Sequence, residues 1–363
     1  MIARSPITFD DIFHPRANAL NALRLILACL VIVSHSYPIA GFSSDPSWAG
    51  LKLGTWSVGG FFAISGYLIT RSAEGSGKSA YIRARLLRIL PGLWFCALVT
   101  AFVISPFIGW LNSAEWRFSE AWSYAWHTMT FTDGGNRVGD VLRGNPLDAM
   151  NGSLWTLTYE VACYAGIAIV VWSKVLWRGA HLVVALVGAQ FLSLAVAQAS
   201  ADGSIANVAY LLPFFLAGST IYKFRSVVSG RLWLFLLALA ALGLVVASGW
   251  GTSLASIPTA YVILWLGARL PGTWTRVGVT NDLSYGMYVF AFPVQQMMAA
   301  AGMSGLGPGA FVVVSILATV PVAYLSWCAV ERPALRWVRA RRAATSVVPV
   351  PRARSSKVRD GRK

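Results

Sequence analysis

RLILACLVIVSH, residues 24–35, holds nine uninterrupted apolar residues between an arginine and a histidine. Extended outward to 17–37, the run reaches the roughly 20 residues that carry a helix across a bilayer. Eleven residues make three helical turns to within about 20°, so Arg24 and His35 share one face, about 16 Å apart along the axis. Ionisable groups inside a membrane are costly and default to function. Two readings follow. Arg24 snorkels to one surface while His35 sits among the opposite headgroups, or both face a common neighbour or cavity.

Composition makes the first of these settings, the membrane, general to the chain. Of 363 residues, 56% are hydrophobic and only 12% are charged, about half the charged share of an ordinary soluble domain. The net charge of +16 does not point to nucleic acid, because the basic residues are segregated between connections and form no soluble basic domain. Cys29, Cys96, Cys163 and Cys328 all lie in apolar runs without metal-ligand spacing and read as small hydrophobes. No metal site is expected. Residues 1–16 read as a cytoplasmic segment, and the first run as a retained helix with no clear cleavage site.

Apolar runs occur at about 17–37, 56–71, 84–108, 153–173, 181–199, 205–222, 231–249, 252–268, 281–300 and 309–330. The expected fold is therefore all-α and polytopic, with about ten transmembrane helices. Alternate connections, RSAEGSGKSAYIRAR, SKVLWRG, YKFRSVVSGR and ARLPGTWTR, are all basic, whereas the others together hold 4 of the 30 Lys and Arg residues. The positive-inside rule then puts both termini in the cytoplasm. Residues 109–152 are the one long outer connection, expected to fold over the outer mouth. Residues 336–363 form a basic cytoplasmic tail expected to be disordered.

Several stretches carry polar groups at helical spacing. In SVGGFFAISGYLITR (57–71), Gly59, Gly60, Ser65 and Gly66 suit close helix packing, and Ser65 can also donate a hydrogen bond into a cavity. In YIRARLLRILPGLW, Arg85 and Arg88 are neighbours on one face, fit either to anchor the chain or to grip phosphate. Pro91 is a candidate kink. In NGSLWTLTYEVACY (151–164), Ser153, Thr156, Glu160 and Tyr164 form a polar stripe, and Trp155 stands beside it. Glu160, about 10 Å below the helix end, needs a partner, and His35 is a candidate. In NDLSYGMYVFAFPVQQ (281–296), Ser284, Tyr288 and Gln295 repeat at helical intervals and Pro293 marks a kink or break.

Arg24 and His35 at their spacing, FFAISGYLITR, RARLLRILP, SLWTLTYE, LSYGMYVFAFPV and the closing VERP together resemble the successive motifs of the membrane acyltransferase 3 family. The resemblance runs from about 17 to 335, the expected transmembrane acyltransferase domain. It implies an O-acyltransferase, in most members an O-acetyltransferase, moving an acyl group from cytoplasmic acyl-CoA to a carbohydrate hydroxyl. Acetyl-CoA is then a co-substrate, and no cofactor is bound. The family's catalytic Arg and His map onto Arg24 and His35, its paired arginines onto Arg85 and Arg88, and its glutamate onto Glu160. A histidine that many members carry falls on Ala291 here, so no role for it transfers.

These residues imply a mechanism. Arg85, Arg88 and Ser65 bind acyl-CoA, and the pantetheine arm threads towards His35. His35 is the general base, while Glu160 orients it or contacts the acceptor. Direct transfer and an acyl-histidine relay both fit. Ser153, Trp155 and Tyr288 are the candidate acceptor-binding residues. Trp110, Trp116, Trp122 and Trp126 either stack on sugars or belong to an interfacial belt. The expected acceptor is a cell-envelope or secreted glycan or glycolipid, such as exopolysaccharide or lipopolysaccharide, at a bacterial inner membrane. Glycan-assembly proteins are possible partners, and no nucleic acid is expected. A transporter or flippase for a glycan precursor is the alternative, disfavoured because the chain has no inverted repeat.

Overall fold

The computed structural model describes residues 7–337 apart from 49, 133–135, 174–177 and 200–202. The basic tail lies almost wholly outside the described residues. Eleven helices of ten or more residues carry the fold: α1 (Leu20–Ile39), α2 (Leu53–Gly75), α3 (Lys78–Leu111), α4 (Phe118–Thr130), α5 (Trp155–Trp172), α6 (Gly179–Gln198), α7 (Ser204–Lys223), α8 (Leu232–Ala247), α9 (Ser256–Arg269), α10 (Ser284–Ala300) and α11 (Pro308–Ser326). A short antiparallel hairpin, β1 (Ser47–Trp48) and β2 (Leu51–Lys52), links α1 to α2.

Each of the ten apolar runs coincides with a helix. Among the described residues, six of the helical runs are long and apolar enough to cross a membrane: α1, α3, α5, α6, α7 and the stretch from α11 to Trp337. The other four expected segments are α2, α8, α9 and α10. α8 is apolar but has only 16 residues. α3 begins at Lys78, six residues before the expected 84, because the Lys- and Arg-rich turn is itself good helix former. It absorbs Pro91 in its interior and passes through a π turn at Thr100–Ile104. Likewise α10 runs through Pro293 without ending.

α2 is central, packed on α1, α5, α7 and α9. Its small residues make this possible. A Cβ at Gly66 would collide with the Phe215 carbonyl on α7, and one at Gly218 with the Ala63 carbonyl on α2. The glycines thus let two backbones touch, as the SVGGFFAISG pattern predicts. α10 lies against α1 and α11 and is buried at every position from Ser284 to Gln296. A helix apolar all round is a core helix, and its polar Gln295 is tied inward, donating to Ile32 O and Ser36 Oγ of α1 at 2.9 and 2.7 Å.

The 109–152 connection is folded. It contains α4, and Ala121, Tyr124, Val138, Val141 and Met150 form a buried cluster with Ile104 and Ile108 of α3. Asn145 Nδ2 donates to the Gln296 side-chain and backbone oxygens, and Gln296 donates in turn to the Leu147 and Ala149 carbonyls. These bonds fasten the connection to α10.

Candidate active site

α1 lays its Arg24–His35 face along two adjoining cavities. The first, about 90 Å³, is lined by Arg24, Ser65 of α2, Arg85 and Arg88 of α3, and Glu160 and Tyr164 of α5, with Tyr285 of α10. The second, about 220 Å³, is lined by Ser34, His35, Asp45, Lys52, Gly152, Ser153 and Trp155. Val58, Thr156 and Tyr288 border both. Arg24 and His35 thus line two adjoining cavities, not the common one that the second reading of the opening stretch expects.

Asp282, outside the lining of the first cavity, pairs with two of its arginines. Its Oδ2 lies 2.5 Å from Arg88 Nη2 and 3.6 Å from Arg24 Nη1. Its Oδ1 accepts from Ser284 Oγ at 2.7 Å and from the Ser284 amide at 3.3 Å, which fixes it at the start of α10. Asp282 thus bridges two guanidinium groups, and a second carboxylate, the buried Glu331, lies within electrostatic reach of both. Glu160 accepts from Ser65 Oγ at 3.0 Å and from the Tyr164 hydroxyl one turn along its own helix.

In the second cavity the carboxylate beside the imidazole is Asp45, 3.6 Å from His35 Nδ1. Asp45 also accepts from Ser34 Oγ at 2.8 Å and pairs with Lys52 Nζ at 3.2 Å. Burial pushes its carboxyl up, but the bonds from His35 and Ser34, the nearby imidazole and Lys52 outweigh that and hold it at about 2. The Phe292 ring packs edge-on against the imidazole, 5.2 Å between centroids.

This corrects one expectation. Glu160 was the candidate partner of His35, yet it lines the arginine cavity instead. Trp155 and Thr156 open α5 beside His35, and Glu160 is a turn further along, about 6 Å deeper. The other candidates divide cleanly. Arg24, Arg85, Arg88, Ser65 and Glu160 line one cavity, His35, Ser153 and Trp155 the other, and Tyr288 stands between them. The Tyr288 hydroxyl donates to Ser153 O at 2.7 Å and touches Thr156 Oγ1 at 2.5 Å. Trp110, Trp116, Trp122 and Trp126 line neither cavity.

Asp45, Lys52 and Asp282 escaped the sequence reading. Asp45 and Lys52 sit in a connection without periodicity, ten residues or more beyond His35. Asp282 had a weak local signal: Asp two residues before Ser is a common turn-capping pattern. Among the described residues no group of three or more His, Cys, Asp or Glu side chains is placed to hold a metal ion.

The chain resembles two known proteins over most of its length. An O-acetyl transferase of Shigella phage Sf6 is 28% identical over 337 residues, covering 87% of this chain and 96% of that protein. Nodulation protein 10 of Rhizobium leguminosarum bv. viciae is 24% identical over 380 residues, covering 88% and 93%. No solved structure matches the chain. The model of the acyltransferase domain family matches residues 17–328, which includes every residue of both cavities. With its membrane-length helices, the protein therefore belongs to the acyltransferase 3 family and is a multi-pass membrane acyltransferase.

Proposed function

We propose that the protein transfers an acetyl group from cytoplasmic acetyl-CoA to a hydroxyl of a cell-envelope glycan or glycolipid on the far side of a bacterial inner membrane. The observation that carries this reading is the pair of cavities: a cationic one and an imidazole–carboxylate one, meeting at Val58, Thr156 and Tyr288. Arg24, Arg85 and Arg88 suit the phosphates of the acyl donor. A narrow cavity bordered by Ser65 and Glu160 suits its slender arm, with the thioester delivered at the waist. There His35, its Nδ1 side towards Asp45, takes the proton of the acceptor hydroxyl. Asp45 fills the orienting role first considered for Glu160. Trp155, half exposed at the rim of the His35 cavity, offers a face for a sugar ring.

In this reading all ten segments cross the membrane and both termini are cytoplasmic, as the basic connections require. The Shigella phage relative supports acetyl as the group moved. The test is acceptor-dependent release of free CoA from acetyl-CoA by the purified full chain in lipid nanodiscs, using methyl glycosides as acceptors. Wild type should release CoA and acetylate a glycoside, and His35→Ala should do neither. Equal release from both proteins would remove His35 from the chemistry. Glycoside movement across vesicles with no CoA requirement would favour a transporter.

A further inference from the structure

Ser153 is held by its backbone on both sides, while its side chain bonds to none of the described residues. Its amide donates to Asn151 Oδ1 at 3.2 Å, and Asn151 is in turn fixed to Val289 O at 2.9 Å. Its carbonyl accepts from the Tyr288 hydroxyl at 2.7 Å and from Thr156 Oγ1 at 3.3 Å. The residue is 2% exposed, yet its Oγ has no hydrogen-bond partner among the described residues. Buried hydroxyls are nearly always paired, so an exception calls for an explanation. Ser153 lines the His35 cavity, and so do Trp155 and Thr156, the first two residues of the 18-residue helix α5. No side chain caps that helix start. The positive end of the α5 dipole therefore lies at the same cavity as the hydroxyl, in a setting that favours negative charge.

We propose that Ser153 Oγ and the uncapped start of α5 form the oxyanion-binding element of the acyl transfer. The inference rests on the reading above of His35 as base and of a thioester as acyl donor. The acceptor oxygen gives up its proton to His35 Nε2 and forms a bond to the thioester carbonyl carbon. The carbonyl π pair moves onto its oxygen, and Ser153 Oγ–H donates to the resulting oxyanion. The pair then re-forms the carbonyl, the carbon–sulfur bond breaks with its electrons on sulfur, and the thiolate takes the proton from the imidazolium. Ester and free thiol leave, and the enzyme is unchanged. A donor fixed in advance, shielded from water and unbonded in the resting site is the arrangement that lowers a transition state without stabilising the ground state.

The test compares wild type, Ser153→Ala, Ser153→Thr and His35→Ala as full chains in nanodiscs, with acetyl-CoA and methyl glycosides. Ser153→Ala should lose about 10²- to 10³-fold in kcat, the usual effect of deleting one oxyanion donor. The KM for acetyl-CoA, the position of the pH limb and the melting temperature should stay put, since no bond of the resting protein is lost. Ser153→Thr, which keeps a hydroxyl, should recover much of the rate. Wild-type kcat in Ser153→Ala, beside an inactive His35→Ala, would overturn the oxyanion role and leave the acyl-transfer reading standing. A lower melting temperature with a raised KM in Ser153→Ala would overturn it in favour of a structural role. Failure of wild type to consume acetyl-CoA would overturn both.

Discussion

The Asp45 carboxylate lies on the Nδ1 side of the His35 ring, 3.6 Å away, and this geometry governs how the imidazole behaves as a base. Replacing Asp45 with Asn removes the negative charge that stabilises an imidazolium. The acid limb of kcat/KM should then move to lower pH, with a plateau about 10²- to 10⁴-fold lower. Asp45 itself does not titrate in that range, because its carboxyl sits at about 2, below its ordinary 3.8. Its contribution to stability is thus complete above about pH 4 and is lost only as the pH falls through about 2. A pH–rate profile and an acid-unfolding curve of Asp45→Asn check the two statements separately. Behind the arginines of the other cavity, Asp282 neutralises part of the Arg24–Arg88 charge. Asp282→Asn should loosen both guanidinium groups, raising the KM for acetyl-CoA and lowering the melting temperature, as breaking a buried ion pair does. Steady-state kinetics and thermal unfolding read these out. Arg24, His35, Arg88, Glu160 and Ser153 were legible in the sequence because an ionisable or polar group within an apolar period stands out. Asp45 and Lys52 were not, because a polar residue in a polar connection carries no such contrast, and only folding brings it to His35.

At the level of elements, the helices were legible for a simple reason: apolar length and small-residue spacing are local properties. The SVGGFFAISG pattern yields a sharp comparison. Gly66→Ala places a methyl group on the Phe215 carbonyl, whereas a methyl at Gly75 meets nothing within 4 Å. Gly66→Ala should abolish the folded protein or drop its melting temperature steeply, and Gly75→Ala should behave as wild type by size-exclusion profile and thermal unfolding. The β1–β2 hairpin and α4 were not foreseen. The hairpin is four residues of pairing in a Gly- and Ser-containing stretch, too short for any alternation to register. α4 takes its stability from the cluster with Ile104 and Ile108 of α3, a tertiary contact that its own sequence does not announce. Glu160 lies on the expected helix, five residues from its start at Trp155. Its assignment to His35 failed because depth along one helix does not say which neighbour faces it.

For the whole molecule, the charge segregation of the connections predicts an orientation that can be tested chemically. Cys29, Cys96, Cys163 and Cys328 are free and can be replaced, after which a single cysteine at Ser44 or at Ser76 reports its own side. With both termini cytoplasmic, a membrane-impermeant thiol reagent should label the Ser44→Cys protein in intact cells and the Ser76→Cys protein only after permeabilisation. The reverse pattern would invert the placement of the acyl donor. The six long apolar helices were the easiest part of the fold to anticipate, and the burial of α10 the hardest. A helix enclosed by others and a helix immersed in lipid present the same apolar run.

The waist at Val58, Thr156 and Tyr288 has an electrical side. If, as the proposed function has it, the two cavities are reached from opposite sides of the membrane, these three side chains shorten the insulating path and much of the transmembrane voltage falls over them. A carrier rocks to avoid opening both gates together, but on the proposed function only an acyl group passes, and the septum would have to stay an insulator during every turnover. Tyr288→Ala should therefore turn a catalyst into a leak, collapsing a proton gradient in vesicles that the wild-type protein leaves intact.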